Sequence, residues 1–148
     1  PETRTGTALP QKRLDFPKMK QILSLVTLLI DDYDTAIAHY TGALGFELLE
    51  DTDRGGGKRW VRVAPRGSHE TCLLLAQAST DGQRAAIGNQ HGGRVGFFLQ
   101  TDDFWRDHAR MTSHGVEFLE TPREESYATV AVFRDAYGNR WDLLQPKP

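Results

Sequence analysis

Few side chains in this sequence suit chemistry, and they are scattered. Five histidines, His39, His69, His91, His108 and His114, fall on helical stretches, a turn, a linker and a helix end, where each reads as a surface or packing residue. The single cysteine, Cys72, has no activating neighbour in sequence and no partner for an internal disulfide, so it reads as an inert buried thiol. Two alternating pairs remain. Trp60 and Arg62 share one face of a strand, and an aromatic ring beside a guanidinium holds a planar or anionic ligand, or else makes an edge or dimer contact. Arg140 and Asp142 share one face of a later strand. Asp142 suits acid–base work if burial tunes it, with Arg140 and Arg62 as anion anchors; alternatively Arg140 and Asp142 form an internal ion pair. Tyr127 opens a strand and offers a phenol donor or an interface contact.

The elements that must position these groups come in two echoing sets. DDYDTAIAHYTGALGFELLE, from Asp31, matches DDFWRDHARMTSHGVEFLE, from Asp102; each has an Asp-Asp-aromatic start, a helix-length stretch, a glycine and a closing Leu-Glu. Ahead of the first, ILSLVTLLI (Ile22–Ile30) reads as a central strand covered on both faces. The paired aspartates cap helices whose apolar faces are Ala36, Ile37, Tyr40 and Leu44 in one copy, and Phe104, His108 and Met111 in the other. Gly45 and Gly115 terminate them. Strands over residues 46–51, 59–64 and 72–76, with DTDRGGGK as a turn, complete a β-α-β-β-β module. A second module has strands over 95–100, 117–120, 127–133 and 140–144. Residues 78–92 form the linker between modules 19–77 and 93–146. The total is eight strands and two main helices. With mostly antiparallel neighbours and helices on one side, the class is α+β.

Composition bounds the partners. With 148 residues, 39% hydrophobic and 26% charged, the chain suits one soluble globular domain. A formal charge of -2 gives no global electrostatic case for nucleic acid or an anionic membrane, and no apolar run approaches a membrane span. The absence of a signal core and the lone cysteine point to the cytoplasm. Residues 1–18 lack periodicity and precede Met19-Lys20, which resembles a natural start, so they read as an extension or tag remnant before a single domain over 19–148.

The Asp-Asp-aromatic helix start, the LGF after the first helix and the late FRDAYGNRWDLLQ together resemble the vicinal oxygen chelate superfamily of glyoxalases, extradiol dioxygenases and bleomycin-resistance proteins. Ala136-Tyr137 stand where the family's turn usually has Pro-Asp. The resemblance spans about Met19 to Pro146 and implies two tandem βαβββ modules forming a curved, cup-shaped mixed sheet. It also implies a ligand or metal inside the cup and often a homodimer. In the metal-dependent members His and Glu ligands come from equivalent strand positions, seven residues before the second Asp of each pair and three before each strand-ending Gln. Those positions here are Leu25, Gly96, Leu74 and Asp142. Only Asp142 carries a donor, and shifts of two residues bring in no histidine or glutamate, so no metal site and no cofactor are expected.

Alternation from Leu25 places Thr27 inward, and from Gly96 it places Phe98 and Gln100 inward. The cup is then apolar with few polar anchors, as small-molecule pockets are. The resulting expectation is a metal-independent small-molecule binding or sequestering protein of the bleomycin-resistance type. Its ligand-binding set is Leu25, Thr27, Trp60, Arg62, Leu74, Phe98, Gln100, Tyr127, Arg140 and Asp142. The alternatives are a glyoxalase- or dioxygenase-like lyase or isomerase with a non-standard site, in which Asp142 is the catalytic residue, and a structural dimer whose cup is filled. The His91 linker folds across the mouth of the cup, or reaches a partner's, in the reading that gives this histidine a role.

Overall fold

In the computed structural model, which describes Gly6 and residues 17–148, the two-module reading holds and several boundaries move. The extension assigned to residues 1–18 lies almost wholly outside the described residues. The first module contains β1 (Leu25–Ile30), α1 (Tyr33–Ala38), β2 (Glu47–Gly55), β3 (Lys58–Ala64) and β4 (Cys72–Gln77). A short α2 (Asp81–Ala86) occupies the linker. The second module follows as β5 (Val95–Gln100), α3 (Phe104–Ser113), β6 (Glu117–Phe118), β7 (Arg123–Glu124), β8 (Ala128–Arg134) and β9 (Arg140–Pro146). These strands make two mixed sheets, one ordered β1-β4-β3-β2 and the other β5-β9-β8-β6, with β7 added to β8. In each the first strand runs parallel to the last, and the other pairs are antiparallel.

Local chemistry explains the helix ends. The Asp32 carboxylate accepts from the Thr35 backbone N–H at 2.8 Å, and Asp103 accepts from Arg106 N–H at 3.1 Å, each satisfying an orphan donor of the first turn. After Ala38 the first helix loosens into a π-helical turn, His39–Ala43, and Gly45 closes it at φ 72°.

One apolar core serves both modules. Leu28, Ile30, Val61, Val63 and Leu75 from the first sheet join Phe133, Trp141 and Leu143 from the second, with Tyr40, Phe46, Phe104 and Met111 between them. Trp141 faces this core, as its alternation with Asp142 predicts.

Four expectations need correction. The first strand begins at Leu25, leaving Ile22 and Leu23 exposed, and it is covered on one face only: Leu28 and Ile30 are buried while Thr27 is open. It lies at the edge of its sheet because the parallel return of β4 occupies its only paired side. The β2 strand runs on to Gly55, so most of DTDRGGGK is strand, and the turn is the Gly56-Gly57 pair. The linker is part helix, and the described residues hold nine strands because the chain after Phe118 forms β7 against β8.

Candidate functional site

Alternation leaves each sheet with one face on the core and one face open. On β3, Val61 and Val63 are buried, while Arg59 lies over the Tyr33 ring and pairs with Asp34 and Asp51. Arg59 and Val61 therefore face the helix, and Trp60 and Arg62 face the open side. The register sets Arg62 beside Leu74, and Leu74 beside Thr27. Thr27, Trp60 and Leu74 help line one pocket of about 440 Å³ at the strand ends, together with Leu29, Ala76, the Gly56-Gly57 turn, Ser79 and Gln83 from the linker, and Tyr33 and Arg59 from the helix side. Leu25 and Arg62 lie on the same open face just outside this pocket. Arg62 is not free to clamp an anion with its whole fork: Nε donates to Glu50 at 2.9 Å and Nη1 lies 3.7 Å from Cys72 Sγ. The bond to Glu50, more than that to Cys72, holds the guanidinium more firmly protonated.

The second sheet carries the other half of the expected set. Phe98, Asp142 and Val132 are register partners across β5, β9 and β8. Phe98 is 65% exposed. Gln100 ends β5 and borders a different crevice, Tyr127 is exposed just before β8, and Arg140 is exposed opposite Val95 and Arg134. Arg140 makes no ion pair with Asp142 among the described residues; the charges that act on Asp142 are those of Arg123 and Glu120. Burial raises the Asp142 pKa above the ordinary carboxylate value, Arg123 opposes that rise, and Glu120 adds to it. The chain thus gathers Leu25, Thr27, Trp60, Arg62 and Leu74 on one sheet, and Phe98, Arg140 and Asp142 on another, without hydrogen-bonding the two sheets edge to edge.

Between the two first strands lies the linker. The Gln90 side chain accepts from Leu29 N–H at 3.0 Å and donates to the Thr27 carbonyl at 2.9 Å, imitating a neighbouring strand along the free edge of β1. The next residue, His91, sets its ring edge-on against Phe97. It also fills the space where Gly96 lacks a side chain: a Cβ on Gly96 would fall 2.2 Å from His91 Nδ1. Gly96 sits at a register shift of β5, where Val95 and Phe97 oppose consecutive residues of β9. No sequence signal identified Gln90, Glu50, Glu120 or Arg123, because each reaches the site through a residue on another strand: Gln90 through Thr27 and Leu29, Glu50 through Arg62, and Glu120 and Arg123 through their charges on Asp142.

A larger crevice of about 730 Å³ lies between α3 and the turn after β3. Its cations are already engaged: Arg66 with Glu47, Arg106 with Asp102 and Asp107, Arg110 with the carbonyls of Gly42 and Ala43. The open sheet faces, with an exposed aromatic and a carboxyl lacking its full set of partners, are the better candidate.

The metal-ligand positions implied by the family do not fit an ion. Leu25, Gly96 and Leu74 supply no donor, and Asp142 alone is too few. Among the described residues no three His, Cys, Asp or Glu side chains converge.

Two βαβββ units with their open sheet faces define a glyoxalase-type fold. The chain belongs to the Glyoxalase/Bleomycin resistance protein/Dioxygenase superfamily, whose profile matches residues 22–143. An uncharacterized protein of Shewanella frigidimarina (strain NCIMB 400) is 54% identical over 128 residues, covering 86% of this chain and 95% of that one. Among solved structures, UcmS2 superposes with a TM-score of 0.74 at 30% identity, over 85% of this chain and 98% of that one. TnmS3, an antibiotic binding protein from Streptomyces sp. CB03234, has a TM-score of 0.69 at 29% identity, over 89% of this chain and all of that one.

Proposed function

We propose that the protein is a metal-independent small-molecule binding or sequestering protein of the cytoplasm, acting as a homodimer whose second copy helps close the cup. The observation that carries this reading is the open face of the first sheet, where Thr27, Trp60 and Leu74 line a pocket beside a strand of nearly unbroken apolar sequence. A strand such as LVTLLI is ordinarily covered on both faces, yet here Leu25, Thr27 and Leu29 keep one face open at a sheet edge. A bound ligand and a second copy supply the missing cover. Leu25, Arg62, Phe98, Gln100, Tyr127, Arg140 and Asp142 extend the binding surface in this reading. The likeness to an antibiotic binding protein supports the same class of ligand.

A second reading, lyase or isomerase chemistry with Asp142 as acid–base, draws on the burial that raises the affinity of this carboxyl for a proton. Thermal-shift screening of chelator-treated protein against an antibiotic library, alongside elemental analysis, separates the readings. Stabilisation by an apolar compound in the presence of chelator supports binding without metal. Stoichiometric Ni, Zn, Mn or Fe that withstands purification contradicts it. A filled cup gives neither.

A further inference from the structure

Resting on the binding-protein reading, we infer that the pocket beside the Gly56-Gly57 turn selects its ligand by a carboxylate. The Lys58 ammonium meets the anion, and Trp60 with Leu29 and Leu74 takes a ring-bearing apolar body. The paired register of β3 and β4 ends at Val61 and Leu75, although β3 begins at Lys58 and β4 runs on to Gln77. At that end the Arg59 N–H donates to the Tyr33 hydroxyl at 3.2 Å, and the pocket of about 440 Å³ is lined by Lys58, Arg59 and Trp60 from one strand and Leu75, Ala76 and Gln77 from the other. Among the described residues two cations line it and no carboxylate does. The two cations differ. Arg59 is neutralised by Asp34 at 2.9 Å and Asp51 at 2.7 Å, neither of which borders the pocket. Lys58 is exposed, and its side chain makes no ion pair or hydrogen bond among the described residues. A second donor comes from the linker: Gln83 Oε1 accepts from the Ser79 N–H at 2.8 Å and the Ser79 hydroxyl at 3.0 Å, which leaves Nε2 of the same amide for the ligand. The side-chain acceptors that line the pocket, on Thr27 and Gln77, are neutral. One ammonium beside one amide suits a single negative charge, whereas a phosphate asks for a fork of donors. Half-buried Trp60, Leu29 and Leu74 supply the apolar wall.

Three probes of one shape read this directly: 1-naphthoate, an anion; 1-naphthamide, its neutral counterpart; and 1-naphthylmethylamine, a cation. In calorimetric titrations of the full chain at neutral pH and low salt, wild type is expected to favour naphthoate over naphthamide by about three- to fivefold, the worth of an accessible ion pair, and to bind the amine most weakly. Raising the salt to about 1 M, where charges are screened within about 3 Å, shrinks that preference. Lys58→Met abolishes it and leaves the affinity for naphthamide unchanged, while Lys58→Arg keeps it. Trp60→Ala weakens all three probes. Lys58 makes no side-chain bond whose loss would unfold the chain, and circular dichroism verifies the fold of each variant; should Trp60→Ala not fold, Trp60→Leu takes its place. Equal binding of naphthoate and naphthamide to wild type, a preference that survives Lys58→Met, or full affinity in the Trp60 variant overturns the inference and leaves the binding-protein reading standing. Binding of no probe overturns the inference as well, and the binding-protein reading then rests on the thermal-shift screen alone.

Discussion

The Tyr40 hydroxyl donates to Asp135 Oδ2 at 2.6 Å, joining the first module to the hairpin turn of the second across 95 positions of sequence. The same oxygen accepts from Trp141 Nε1 and Asn139 Nδ2, both at 3.0 Å, and Oδ1 accepts from the Tyr137 and Asn139 backbone N–H groups. The turn that carries the family resemblance is therefore a buried polar hub. Burial first, then the neighbouring Asp135, pushes the Tyr40 phenol pKa well above its ordinary value.

Tyr40→Phe removes the one donor that, among the described residues, reaches the Asp135 side chain from the first module. It is expected to lower unfolding free energy by about 1–3 kcal/mol, the range for a buried hydrogen bond to a charged group. Urea denaturation measures this; a change within a few tenths of a kcal/mol would show that the module junction rests on packing alone.

His39 should make stability depend on pH. Its Nε2 accepts from Ala136 N–H at 3.0 Å, an arrangement only the unprotonated ring atom allows. Burial depresses its pKa below the ordinary 6.5, with Asp135 acting in the opposite sense. The unfolded chain then binds more protons than the folded one as pH drops below about 6.5. The contribution is complete above that pH, declines on acidification, and levels off below the depressed folded value. Unfolding free energies measured from pH 7.5 to 5.5 should fall more steeply for wild type than for His39→Gln. Identical slopes would remove His39 from the account.

Gly96→Ala tests the packing of the linker on β5. The added methyl falls on the His91 ring, so a loss of about 1–3 kcal/mol is expected from overpacking. His91→Ala in the same chain should restore part of it, and a double-mutant cycle gives the coupling. Additive effects would mean that His91 is not held over Gly96.

The duplicated Asp-Asp helix starts and the period-2 strands made the module order legible, because capping and alternation are local signals. Even α2 left a trace: Thr80 and Gln83 have the spacing of a capping box, with Gln83 N–H donating to Thr80 and Gln83 Oε1 accepting from Ser79 N–H. Alternation also separated Trp141, in the core, from Asp142, on the open face. What alternation could not decide was which face of β3 turns to the helix; that depended on Arg59 meeting Tyr33, Asp34 and Asp51, and so brought Trp60 and Arg62 to the open side. Nor does an apolar run reveal whether its second face is covered by its own chain. β1 reads as a central strand and lies at an edge, closed there by the side chain of Gln90.

The most direct test of the central claim is methyl and amide NMR of chelator-treated protein, titrated with the strongest stabiliser from the thermal-shift screen. Saturable shifts are expected at Leu25, Thr27, Leu74, Phe98 and Leu144 on the open sheet faces, unchanged by added divalent cations. Shifts confined to Gly45, Arg66 and Arg110 in the larger crevice, or binding that appears only when metal is supplied, would contradict it.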